Sequence, residues 1–239
     1  MEIWSLLLFG LLVGMQHALE ADHLAAVAAM SAKASSRRHV VLRGAWWGVG
    51  HTLALFAICG AAILLGFVLT AKIEASLELG VGLMIVGLGL HVLYTLLRRR
   101  IHFHVHDHGG ERHVHAHSHA GEAVRHEDSR HGHPHPKGSL VKALAIGLVH
   151  GAAGSGALLV LVVAATRSTA LALTYVLAFG VGSILGMAAL SFVASYPLKV
   201  LQRGAGWLDS AVVAGIGLFA LFIGGRLIVE SAGTIGLSG

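Results

Sequence analysis

The sequence is poor in cysteine and in charge. Cys59 is the single cysteine in 239 residues, which excludes an internal disulfide framework and any CxxC metal or redox pair. Charged residues make up 12% of the chain, about half the 25% usual for a soluble domain. That deficit, with 55% hydrophobic residues and a mean hydropathy of +0.75, excludes an ordinary water-soluble domain and disorder over most of the length. No GxxxxGK[ST] loop is present, so the chain does not bind ATP by that route, and no HExxH supports a membrane zinc protease. The net charge of +5 is small and its bases fall between the apolar runs, so it is no nucleic-acid footprint.

What is present is a series of apolar runs of about 20 residues, the length that crosses a bilayer core. Six stand out: Ile3 to Ala29, Val41 to Thr70, Ala75 to Leu97, Leu140 to Thr166, Thr169 to Pro197 and Trp207 to Glu230. The composition predicts an all-α integral membrane protein with the lipid bilayer as its first partner. The leading run is not read as a cleaved signal, because it opens on Glu2 and has no basic n-region. Of the 17 Lys and Arg, all but Lys72, Arg167 and Arg226 fall in or beside the loops after the first, third and fifth runs. The positive-inside rule therefore places both termini outside and the long polar loop in the cytoplasm.

The two halves resemble each other. His17 and His150, Gly50 and Gly182, and Glu78 and Asp209 match at a nearly constant offset of about 132 residues, the mark of an internal repeat. With three spans per half, the second repeat lies upside down relative to the first, an arrangement used by transporters with a midplane site. The organisation expected is residues 1–97 as one three-helix repeat, 98–138 as a disordered loop and 139–239 as the second repeat. Gly10/Gly14, Gly44/Gly48, Gly147/Gly151 and Gly182/Gly186 are spaced for close helix approach.

The first run contains His17-Ala-Leu-Glu20-Ala-Asp22-His23. A charged side chain at mid-membrane costs about 2.5–3.5 kcal/mol on insertion scales, so such a cluster is retained where something neutralises it. A divalent cation does so directly, and imidazole with carboxylate suits the borderline metals. On a regular helix His17, Glu20 and His23 share a face; if His17, Asp22 and His23 hold one ion, the helix must be distorted, for instance by a π-bulge. The spacing leaves both sets open. His51 and His150 also fall near mid-membrane, whereas His91 lies nearer the cytoplasm and reads as a packing residue. Most of the 18 His lie in the long loop: His102, His104, His106, His108, His113, His115, His117, His119, His126, His131, His133 and His135. Alternating His-x-His in a polar tract points to weak, exchangeable binding of several metals. Cu(I) is disfavoured, since soft ions prefer thiolate and thioether.

The His17-x4-Asp22-His23 motif, followed by Gly50-His51-Thr52 in the next span, resembles the nickel/cobalt transporter family. Glu20 stands at the first acidic position of its hallmark helix. The stretch His150-Gly-Ala-Ala-Gly-Ser-Gly-Ala157 and the absence of an extra leading span resemble its six-span UreH-like branch. The His-rich loop is similar to that of nickel/cobalt efflux members. The resemblance implies transport of Ni(II) or Co(II) as substrate, with no tightly bound cofactor and no enzymatic activity. It implies a selectivity site at His17, Asp22 and His23 beside His51; Glu20 and His150, read from the residues themselves, are candidate secondary or coupling groups. A cytosolic metallochaperone, or a urease or hydrogenase maturation protein, is the partner such a chain would serve. The larger uptake members carry acids in later spans, where this chain has Ser155 and Ser183. Efflux by proton exchange, an intramembrane metalloenzyme and a metal-sensing accessory protein are the alternatives.

Overall fold

The computed structural model describes residues 3–32, 37–66, 69–98, 101–108, 111–118, 136–154, 168–201 and 206–236. Its helices are α1 (Ile3–His17), α2 (Ala21–Ser31), α3 (Arg37–Leu65), α4 (Ala71–Arg98), α5 (Pro136–Ala153), α6 (Thr169–Leu201) and α7 (Gly206–Ile235). Four of them, α3, α4, α6 and α7, contain a stretch long and apolar enough to cross a membrane alone, and α1 with α2 passes as a bent pair. The chain is a multi-pass helical membrane protein. Leu8, Leu53, Leu83, Leu148, Leu185 and Phe222 project outward, as lipid-facing residues do. The fourth expected run is seen only as far as Gly154; residues 155–167, including Ser155, lie outside the described residues.

The first run is not one helix. α1 ends at His17, the chain turns through Ala18, Leu19 and Glu20, and α2 leaves at 59°. The turn is closed by Leu19 N–H to Gln16 O at 2.9 Å and Glu20 N–H to His17 O at 3.1 Å. Glu20 is extended (φ −63°, ψ 151°), and its carbonyl accepts the first bond of α2 from Leu24. A full break thus replaces the regular or π-bulged helix of the sequence reading. Irregular backbone at membrane depth is tolerated where it lines a cavity, and Leu19, Glu20 and Ala21 do line one.

Glycine sets the helix pairings. α1 packs on α6, α3 on α5 and α6, and α4 on α7. A Cβ on Gly147 or Gly151 would run into the backbone of Trp47 or His51, and one on Gly14 into Phe179. Gly182 meets Leu11 and Gly50 meets Leu144 in the same way. All of these are backbone-to-backbone approaches that any side chain forbids.

Part of the long loop forms a pair of strands. β1 (Ile101–His108) and β2 (Glu111–Ser118) form an antiparallel pair with His102 opposite His117, His104 opposite His115 and His106 opposite His113. Ile101, Phe103 and Val105 alternate with His, a period-2 strand pattern, and Gly109-Gly110 between the strands is a hairpin signal. His119, His126, His131, His133 and His135 lie outside the described residues.

Candidate metal centre

The break brings α1, α2, α3 and α5 to one point. His17 closes α1, Asp22 and His23 open α2, His51 comes from α3 and His150 from α5. His23, His51 and His150 are buried. Trp47, also buried, flanks the rings of His23 and His150 with centroids at 5.4 and 5.5 Å.

Two overlapping triads result. In one, ligand atoms of His17, His23 and His51 lie within 4.8 Å of one another; in the other, those of Asp22, His23 and His150 do. His17 Nε2 is 3.2 Å from His51 Nε2, and His150 Nε2 is 2.9 Å from Asp22 Oδ2. Two ligands with bonds of about 2.0–2.1 Å to one ion lie about 2.9–3.4 Å apart, for angles between a right angle and tetrahedral. Both separations fit a shared cation. Asp22 Oδ1 accepts the His23 backbone N–H at 2.8 Å and lies 2.9 Å from His23 Nδ1. The opposite ring nitrogen, His23 Nε2, is buried with no hydrogen-bond partner among the described residues. A buried polar atom left so costs about 1–3 kcal/mol, and coordination of a cation removes that cost.

The two acids of the first run are now told apart. Asp22 joins a triad with its side chain 25% exposed, while Glu20 is 57% exposed and stands 2.8 Å from His17 Nδ1. Glu20 can orient the His17 ring so that Nε2 faces the site, as carboxylates behind ligand imidazoles do. His150, from the sequence a secondary candidate, stands in a triad. The repeat match with His17 was the signal for it. His91 is exposed on α4 and lies outside both triads. Ser183 is buried and donates to Gly14 O at 3.3 Å.

An open vestibule of about 880 Å³ reaches the cluster. His17, Glu20, Asp22, His23 and His150 line it together with Glu74 and Glu78 of α4 and Arg226 and Glu230 of α7. His51 is not among its lining residues. Arg226 Nε donates to Glu230 Oε1 at 2.6 Å, and Ser231 Oγ donates to Glu78 Oε2 at 3.4 Å. The dominant charge on the wall is negative, which concentrates cations.

Fold and site together define a polytopic helical membrane protein with a buried His/Asp centre at a broken helix. The chain is 29% identical over 202 residues to the urease accessory protein UreH of Bacillus sp. (strain TB-90), covering 84% of this chain and 81% of that one. The expected resemblance to UreH-like proteins is thereby borne out. No family model matches the chain, and no solved structure matches it.

Proposed function

We propose that the chain carries Ni(II) or Co(II) through the bacterial cytoplasmic membrane into the cell. The observation that supports this best is the convergence of His17, Asp22, His23, His51 and His150 at the break between α1 and α2. Half-helix ends at membrane depth are a transporter device, and imidazole with one carboxylate selects borderline divalent metals over hard ones. A divalent ion moving inward gains about 4.6 kcal/mol per 100 mV, twice the single-charge value, so uptake runs on membrane potential. The kinship to a urease accessory protein fits a supply of nickel to a maturing metalloenzyme, with the His-rich loop receiving the ion on the cytoplasmic side.

The packing supports two inverted three-helix repeats. Exchanging α1/α2 with α5, α3 with α6 and α4 with α7 turns the α1–α6 pair into α5–α3 and leaves α3–α6 and α4–α7 unchanged. The glycine contacts obey the same exchange: Gly14 on Phe179 becomes Gly147 on Trp47, and Gly182 on Leu11 becomes Gly50 on Leu144. In this arrangement both termini are external, the loop is cytoplasmic and the vestibule opens outward.

The test is cellular nickel, cobalt and zinc content, by elemental mass spectrometry, in a host without its own carriers. Nickel or cobalt should rise with the intact chain and not with His23→Ala. A fall below the empty-vector level, also abolished by His23→Ala, would replace uptake by efflux. No change in any metal would sink transport altogether. The vestibule adds a kinetic expectation. Glu74→Gln with Glu78→Gln should raise the KM for metal roughly threefold at low ionic strength and leave the maximal rate alone, an effect that fades as salt screens the wall. An unchanged KM would remove the vestibule from cation capture.

A further inference from the structure

We infer that the centre is two overlapping cation stations that share His23, and that the ion crosses it in two steps. This rests on the transport reading and deepens it. Asp22, His23 and His150 all line the vestibule, whereas in the other triad His51 lies behind it, fully buried. The outer station therefore has one carboxylate and two imidazoles, and the inner station, His17 with His23 and His51, has imidazoles alone.

His23 can serve both because its two ring nitrogens diverge. Nδ1 is on the Asp22 side, 2.9 Å from Oδ1, while Nε2 is the buried nitrogen with no partner among the described residues. One ring cannot offer both nitrogens to a single ion, but it can offer each to one of two neighbouring positions. Moving the ion from the Nδ1 side to the Nε2 side exchanges the ring tautomer. With the ion at Nδ1 the single ring proton is on Nε2; with the ion at Nε2 it is on Nδ1, where Asp22 Oδ1, 2.9 Å away, accepts the N–H. The order of stations also sorts ions. The carboxylate station admits any divalent cation from the acidic vestibule, and the all-nitrogen station passes only those that imidazole holds well, rejecting Mg(II) and Ca(II).

The test uses Co(II) as probe on the full-length protein in nanodiscs, with Ser at the twelve His between His102 and His135 so that the loop does not compete. Stoichiometry by equilibrium dialysis and the visible ligand-field spectrum are read together. His51→Ala should retain one Co(II) with the spectrum of a mixed nitrogen/oxygen site. His150→Ala and Asp22→Asn should each retain one with the spectrum of an all-nitrogen site. His23→Ala should lose binding by more than about 100-fold, beyond the effect of an outer partner. His51→Asn and His23→Gln serve if an alanine variant elutes as aggregate. The two-station arrangement is overturned if every variant weakens Co(II) equally with one common spectrum, since five groups would then hold one ion. It is equally overturned if His51→Ala loses all binding. Metal flux into vesicles is measured in parallel. Two stations without flux in the unsubstituted protein would overturn transport and leave the binding result standing.

Discussion

Asp22→Asn should abolish metal flux while Glu20→Gln only slows it. The two carboxylates are two residues apart in the sequence, and each is within reach of a histidine, but their surroundings differ. Asp22 Oδ2 is 2.9 Å from His150 Nε2, and its other oxygen is held by the His23 backbone N–H at 2.8 Å. It also sits in the first turn of α2, where the helix dipole favours a carboxylate. Asn keeps the shape and loses the charge, leaving a divalent ion in the outer triad without its neutralising ligand. A loss of about 100-fold or more is expected, exceeding what loss of an outer-shell partner gives. Glu20 is mostly exposed and bonds His17 Nδ1 rather than the Nε2 that faces His51. Gln can still accept that bond, so a loss of about tenfold or less is expected, the low end for an orienting group. Equal losses in the two variants, read as initial flux in vesicles, would show that both acids ligate the ion or that neither does.

The difference between these acids shows where sequence reading stops. That the chain spans a membrane several times is legible from hydropathy, and that the first run gathers His and acid is legible from residue type, whereas His51 beside them came from the family resemblance. His150 was legible as well, through its mid-span depth and its match with His17. The break at Ala18 to Glu20 was not. No Pro or Gly occurs there, so local propensity favours continuing the helix. What opens it is tertiary: the two half-helices splay around a cavity that no local pattern announces. His17 still meets Glu20 and His23 once it opens, but the regular spacing that set Asp22 apart no longer applies. Asp22, on the wrong face of a regular helix, turns toward α5. The strand pair in the long loop is a separate case: the alternating His-x-His was in view as a metal-binding pattern, while the register that sets His104 opposite His115 was not.

Gly147→Ala should damage the protein out of proportion to the single methyl group it adds, whereas Gly87→Ala should not. A Cβ at Gly147 would meet the carbonyl of Trp47 far inside van der Waals contact, with backbone on both sides and no flexible side chain to yield. α3 and α5 must then move apart. Since α3 carries His51 and α5 carries His150, the same displacement loosens both triads. Overpacking of this kind costs about 1–3 kcal/mol, so the melting temperature in detergent should fall by several degrees and flux should fall with it. Gly87 has open space where its Cβ would be, and alanine there should be neutral or slightly stabilising, as the better helix former. The proposed pseudo-symmetry sharpens the expectation. Gly14 meets Phe179 as Gly147 meets Trp47, so Gly14→Ala should cost as much by parting α1 from α6 and displacing His17. If Gly147→Ala and Gly14→Ala both melt and transport like the unsubstituted chain, the helices do not approach as closely as described and the repeat loses its support in packing. If only one is damaging, the two halves are not equivalent, and the half that suffers is the one whose close approach holds the centre together.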